Sequence, residues 1–159
     1  MNKALLVIDV QNAITNQNNP AIERTLSYIN QVIATFPKEE VYYIRHIEDG
    51  TEFDESNTDS YLSSKLLIVN DQIFKKHFNS AFLQTELDDV LKQKNITDIY
   101  IVGFQTEFCV DATIKTGHFL GYHVHVYKQG HDTFDREISA EKLKEHYNHQ
   151  FQNYADMIE

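Results

Sequence analysis

Short apolar runs alternate with amphipathic segments along most of the chain, a pattern typical of βαβ units. The first run, KALLVIDV over residues 3–10, is almost continuously apolar, as expected for a strand covered on both faces. Residues 22–36 then place apolar side chains at helical spacing. The same criteria predict further strands over 40–47, within 68–78, over 98–104 and over 123–128, and further helices over 83–96, 107–122 and 139–158. We therefore predict an α/β fold in which helices cover both faces of a parallel sheet.

Polar residues with chemical capability follow the predicted strands. Asp9 ends the first apolar run, His46 ends the second, Lys75 and Lys76 follow the third, and Cys109 comes after the fourth. In open parallel sheets, ligand sites form outside the carboxyl ends of the strands. The pattern thus predicts one rim of the sheet as the functional site.

Composition narrows the classes of function. A chain of 159 residues predicts a single domain, 1–159, and 24 acidic against 14 basic residues give a net charge of −10. That charge argues against nucleic acid and anionic membranes as partners. One cysteine precludes an intramolecular disulfide, and the N-terminal apolar run is too short for a signal or a membrane span, so we expect a cytoplasmic protein. No G-x-G-x-x-G motif or P-loop occurs, and we predict no cofactor.

The single cysteine allows two interpretations. In VGFQTEFCVD, residues 102–111, Thr106 at the N-cap would put Cys109 in the first helical turn, where the helix dipole lowers the pKa of a thiol. Alternatively, Cys109 is a small buried hydrophobe. Asp9 also allows two interpretations, a functional carboxylate or a structural one, because an aspartate after a strand often caps the next turn.

Three motifs taken together resemble the isochorismatase-like cysteine hydrolases, a superfamily that includes nicotinamidases and carbamoylsarcosine-type amidohydrolases. They are VIDVQN, the K-x-x-x-S-A-F pattern in KHFNSAF, and the G-x-x-T-x-x-C-V pattern in GFQTEFCV, in that order. The later segment GYHVHVYKQGHDTFD is also similar, so the resemblance covers nearly the whole chain. It implies a three-layer α-β-α domain with a six-stranded, mostly parallel sheet of Rossmann-like topology.

The resemblance also implies a catalytic triad of Asp9, Lys76 and Cys109. Lys76 is chosen over Lys75 because only Lys76 stands four residues before Ser80 in the motif. Cys109 would be the nucleophile, Asp9 the general acid and base, and Lys76 the electrostatic stabiliser.

Further site features are implied around this triad. A non-proline cis peptide would join Phe104 to Gln105, and the backbone N–H groups of Gln105 and Cys109 would form an oxyanion hole. The candidate substrate-pocket residues are Gln11, Phe82, Phe104 and Phe108.

These features predict hydrolysis of a small-molecule amide through a thioester on Cys109. Isochorismatase-type cleavage of a vinyl ether and a non-catalytic ligand-binding or redox-sensing module remain alternatives. The resemblance also implies a homodimer or higher homo-oligomer.

Departures from the superfamily bear on metal and substrate. Nicotinamidases carry a D-x-H metal motif after the second strand, whereas this chain has His46, Glu48 and Asp49 there in a different arrangement, so we predict no metal. Gln129 and Asp132 replace residues frequent in relatives, which leaves the specificity open. The acidic segment 51–60 is either a solvated loop or a lid.

Overall fold

The computed structural model describes residues 2–159 and contains one six-stranded sheet. The strand order is β3-β2-β1-β4-β5-β6, and every neighbouring pair is parallel, as the α/β pattern predicts. The strands are β1 (Lys3–Ile8), β2 (Val41–His46), β3 (Ile73–Lys76), β4 (Asp98–Phe104), β5 (His123–Asp132) and β6 (Asp156–Ile158). The strand order reverses between β1 and β4, which places the carboxyl ends of these central strands at a topological switch point.

Helices cover both faces of the sheet. Apolar side chains of the long second helix pack on one face, while the last three helices contribute to the core on the other. The helices are α1 (Asn12–Thr15), α2 (Pro20–Thr35), α3 (Leu87–Gln93), α4 (Asp111–Phe119) and α5 (Ala140–Phe151). None of the helices in the described part of the chain is long and apolar enough to cross a membrane.

The apolar run of β1 is explained by burial on both sides. Leu6 and Ile8 belong to one core cluster and Leu5 and Val7 to the other, and all four are fully buried. Because successive side chains point to opposite faces, a central strand with two covered faces has no polar alternation. Burial of these side chains fixes the position of the residue that follows them, Asp9.

The C-terminal prediction was wrong in its second half. The helix predicted over 139–158 starts as expected, with Ser139 Oγ accepting from the Lys142 N–H, but it ends at Phe151. Residues 156–158 instead form β6 beside His125–Tyr127 of β5. The apolar spacing within residues 139–158 reports only on that segment. It carries no information about β5, whose edge offers unpaired backbone N–H and C=O groups to residues 156–158. The helix predicted over 83–96 is also shorter, spanning Leu87–Gln93.

Gly103 allows the close approach of β4 to β1. Its φ is +131°, and a Cβ at this position would lie 2.1 Å from the carbonyl oxygen of Ile8. Only glycine accepts both this backbone conformation and this contact. Gly103 therefore holds the strand that leads into Cys109 against the strand that leads into Asp9.

We expect Gly103→Ala to lower the free energy of unfolding far more than Gly121→Ala. Gly121 also has positive φ, +95°, but a Cβ there would meet no atom within 4 Å. The control should cost about 1 kcal/mol for left-handed backbone in a non-glycine residue, whereas the clash at Gly103 should cost roughly 3 kcal/mol or more. Urea denaturation measures both, and equal losses would contradict the close approach.

Candidate active site

The carboxyl ends of four adjacent strands bring polar side chains to one point. Asp9 follows β1, His46 ends β2, Lys76 ends β3, and Cys109 lies in the turn after β4. Since β3, β2, β1 and β4 are neighbours in this order, residues far apart in sequence meet at the rim that the strand pattern predicted.

Lys76 is the centre of this cluster. Its side chain is completely buried, and Nζ lies 3.0 Å from Asp9 Oδ2 and 3.1 Å from Cys109 Sγ. Nζ also donates to the carbonyl oxygen of Phe78 at 3.0 Å and contacts His46 Nδ1 at 2.9 Å. Lys75 is an exposed partner of Glu55 instead. Alternation along β3 thus separates the two lysines, because adjacent strand residues face opposite ways.

Asp9 occupies a left-handed backbone conformation with φ of +52°. Its N–H donates to the carbonyl oxygen of Ile44 at 3.0 Å, which ties this turn to β2. Such a conformation costs on the order of 1–3 kcal/mol in a non-glycine residue and persists where surrounding contacts impose it. The carboxylate is buried, with Oδ2 held by Lys76 and Oδ1 without a hydrogen-bond partner among the described residues. Asp9 therefore keeps one oxygen available to accept a proton.

The turn that carries Cys109 is a π turn over Thr106–Val110, and regular helix begins only at Asp111. The Val110 N–H reaches back to the carbonyl oxygen of Gln105 at 3.2 Å. The prediction of Thr106 as an N-cap with Cys109 in the first turn of a regular helix was wrong. The Thr106 hydroxyl is bound elsewhere, 2.8 Å from His131 Nδ1. Single π turns are rare in proteins, and those that occur are often at functional sites.

His131 anchors the π turn from behind. It is fully buried, and its Nε2 lies 2.7 Å from Asn148 Oδ1 on α5. Because an amide oxygen only accepts, Nε2 carries the proton and Nδ1 accepts from Thr106. Burial lowers the pKa of His131 to about 4, so the ring is neutral at physiological pH.

The thiol environment also differs from the prediction. Burial, together with the negative charge of Asp9, raises the pKa of Cys109 to about 12, and the ammonium of Lys76 only partly opposes this. The expected lowering of the thiol pKa is overturned because desolvation of the buried thiol outweighs the ammonium of Lys76. At rest, Cys109 is a thiol beside a lysine–aspartate ion pair.

Three side chains of the cluster have the spacing of a metal site, and the ammonium of Lys76 lies among them. Donor atoms of Asp9, His46 and Cys109 lie within 4.8 Å of one another, close enough for a metal ion. However, Nζ of Lys76 is within 3.1 Å of a donor atom on each of them. The ammonium therefore occupies the position between these donors and supplies the positive charge there.

A cavity of about 130 Å³ opens onto this cluster. Of the pocket candidates, Phe104 and Phe108 line it, and so do Gln105 and Cys109, whose N–H groups are the candidate oxyanion donors. The peptide bond between Phe104 and Gln105 is cis. The remaining lining residues are Asp9, Ile14, His46, Glu48, Phe53 and Asn79. A larger groove of about 850 Å³ runs along α5, but it contains none of the predicted site residues.

Two pocket candidates lie elsewhere. The amide of Gln11 is buried and bound to the backbone of His46 and Ser60, so it fixes the end of β2. Phe82 stacks on Tyr122 within the core. Both residues are in or beside the sequence motifs, but they support the site from outside the cavity.

The sequence did not assign roles to His46, Glu48 and Asn79 in the pocket. The rule that selected Asp9 also selected His46 at the end of β2 for the rim, but it gave no role to the ring. Asn79 lies inside the motif KHFNSAF, in which the resemblance assigns a catalytic role only to Lys76. Glu48 lies in irregular chain beyond β2, for which sequence periodicity gives no signal.

Comparisons with known proteins agree with one another. The family model of the isochorismatase domain matches residues 3–158. The chain is 30% identical over 131 residues to the isochorismatase family protein YrdC of Bacillus subtilis (strain 168), covering 76% of this chain and 68% of YrdC. It is 24% identical over 156 residues to Nicotinamidase 3 of Arabidopsis thaliana, covering 88% and 78% of the two chains. A crystal structure of an isochorismatase family protein superposes with a TM-score of 0.88 at 29% identity, covering 99% of this chain and 98% of that one.

Lys76→Met and Asp9→Asn should move the pKa of Cys109 in opposite directions. Loss of the ammonium removes the charge that lowers it, while loss of the carboxylate removes a charge that raises it. The pH dependence of iodoacetamide alkylation, followed by intact mass, measures both shifts because the chain has one cysteine. Lys75→Met is the matched control and should leave the titration unchanged. Shifts in the same direction would contradict the arrangement.

Stability should fall as the pH drops from about 6.5 to about 4 because of His131. Its pKa is 6.5 ordinarily and about 4 in the folded protein, so within this window the unfolded chain binds the proton and the folded chain does not. The difference corresponds to on the order of 3 kcal/mol by pH 4. Urea denaturation across this range should show a flatter pH dependence in His131→Gln than in the wild type. His123→Gln, at an exposed position, should keep the wild-type slope.

Proposed function

The chain belongs to the isochorismatase family of hydrolases, and from that premise we propose that it hydrolyses the C–N bond of a small amide through a thioester on Cys109. The observation that carries the proposal is the buried Lys76 ammonium, 3.0 Å from Asp9 and 3.1 Å from Cys109. A nicotinamidase is among the relatives, which supports amide chemistry. The small cavity, well below the roughly 300–1,000 Å³ of drug-sized ligand pockets, favours an acyl group of few atoms.

The nucleophile forms by proton transfer within the cluster. Asp9 takes the proton from Sγ on its unpartnered oxygen, which converts a thiol and a carboxylate into a thiolate and a carboxylic acid. The net charge of the three groups does not change. Lys76 is almost equally distant from the carboxylate and the sulfur, so its ammonium stabilises the negative charge before and after the transfer. This explains how a thiol with a raised pKa can act as a nucleophile.

Acylation and deacylation then use the same groups. The thiolate attacks the carbonyl carbon, and the N–H groups of Gln105 and Cys109 receive the oxyanion. Asp9 returns its proton to the leaving nitrogen, so the C–N bond breaks, the amine departs and the thioester remains. Asp9 next takes a proton from water, whose oxygen attacks the thioester. Collapse of this intermediate releases the carboxylic acid and restores the thiol and the carboxylate.

His46 and the Phe78 carbonyl position the ammonium in this mechanism. An ammonium has three N–H donors, and Nζ has four neighbours that can accept them. The contacts with His46 and Phe78 hold Nζ while the negative charge moves from Asp9 to Cys109.

We expect Cys109→Ala to lower amide hydrolysis by about 10³-fold or more and Asp9→Asn to lower it by about 10²–10⁴-fold, because the general base is lost. The assay is release of ammonia or amine from a panel of small primary amides. Hydroxylamine added during turnover should divert the wild-type thioester to a hydroxamate. Asp49→Asn, an exposed change outside the cavity, is the control.

Alternative functions give different outcomes in the same variants. A vinyl ether hydrolase would release no hydroxamate and would turn over no amide. A binding or redox-sensing module would show reversible modification of Cys109 with Asp9 and Lys76 dispensable. Either outcome would overturn the thioester mechanism.

A further inference from the structure

Glu48 gives the cavity wall an uncompensated negative charge. Two carboxylates line the cavity, Asp9 and Glu48, and none of the lining residues is a lysine or an arginine. The charge of Asp9 is matched by Lys76, which lies behind the cavity at 3.0 Å. No such partner is in contact with Glu48 among the described residues. Its side chain is 60% exposed, and its neighbour is the ring of His46.

His46 does not neutralise Glu48. The ammonium of Lys76 only donates, so His46 Nδ1 accepts and the ring proton lies on Nε2, which faces Glu48 Oε2 at 3.6 Å. Burial and the positive charge of Lys76 lower the pKa of His46, while Asp9 and Glu48 raise it less. The ring is therefore neutral at physiological pH and acts toward Glu48 as a dipole.

Basic side chains near the site are bound to other groups. Arg45 donates to the backbone and hydroxyl of Ser60, and Lys75 pairs with Glu55. Arg136 donates to Gln105 Oε1 at 2.8 Å and lies over the ring of Phe108, so it reaches the cavity only through these two residues. Among the described residues that line the cavity there is thus no cation to pair with a substrate carboxylate.

The remaining wall suits neutral and cationic groups. Phe53, Phe104, Phe108 and Ile14 are apolar, and aromatic ring faces attract cations. Asn79 and Gln105 add neutral hydrogen-bonding groups. Since Gln105 Oε1 accepts from Arg136, its amide N–H groups are left to donate.

We propose that Glu48 determines substrate charge: the cavity accepts amides whose acyl part is neutral or cationic and rejects those that carry a carboxylate next to the reacting carbonyl. The part of this inference that concerns substrates rests on the proposed amide hydrolysis. The charge of the cavity itself can be measured without turnover, because Cys109 reports on it.

Alkylation of the single cysteine by reagents of different charge provides the first test. Iodoacetamide, iodoacetate and 2-bromoethylamine are neutral, anionic and cationic, and each rate is divided by the rate of the same reagent with 2-mercaptoethanol, an otherwise uncharged thiol. In the wild type the normalised rate should fall from the cationic to the anionic reagent by roughly tenfold or more, as for unit charges a few ångströms apart. Glu48→Gln should remove most of this difference.

Glu52→Gln is the matched control, since both glutamates are exposed on the same loop but only Glu48 lines the cavity. It should keep the wild-type order of rates. Equal normalised rates for all three reagents in the wild type, or identical effects of the two substitutions, would overturn the assignment to Glu48.

Substrates of similar size provide the second test. The value of kcat/KM should be higher for 3-aminopropanamide, which is cationic, and butanamide, which is neutral, than for malonamate, which is anionic. Glu48→Gln should raise the value for malonamate. Turnover that favours malonamate would overturn the charge inference and leave amide hydrolysis standing. Charge-ordered alkylation without turnover of any amide would support the charge inference while the proposed hydrolysis failed.

Discussion

A single buried ammonium constrains the architecture of the site. Lys76 has no exposed side-chain surface, and an unpaired charge in such a place would cost several kcal/mol or more. Its partners come from four places in the chain: the turn after β1, the end of β2, the segment after β3 and the π turn after β4. The strand ends must therefore stay in register for the lysine to be satisfied, and the same register brings Asp9 and Cys109 together.

Burial sets the chemistry of the cysteine. The desolvated thiol holds its proton, whereas an exposed thiol near a helix dipole would release it more easily. This makes activation depend on Asp9, because the proton must go to a partner that leaves the total charge unchanged. In the proposed mechanism the thiolate forms only by transfer of its proton to Asp9, and Cys109 is only 8% exposed, which limits side reactions of the sulfur.

Supporting residues hold these groups from outside the cavity. Gly103 lets β4 approach β1, His131 ties the π turn to α5, and Gln11 fixes the end of β2 through backbone hydrogen bonds. None of them touches the cavity. Their effect is rigidity, which matters because reacting groups displaced by about 1 Å can lose a large part of the rate.

The sequence by itself determined the alternation of strands and helices and the rim that carries the polar residues, and the resemblance of three ordered motifs to a known family pointed to the set Asp9, Lys76 and Cys109. These are local signals, since strand burial and motif spacing are written into neighbouring residues. Only the tertiary structure decided the π turn, the β6 edge strand, the raised pKa of the thiol and the place of Glu48 in the cavity wall. Each of these depends on desolvation or on partners brought from distant parts of the chain, and no pattern within one segment encodes them.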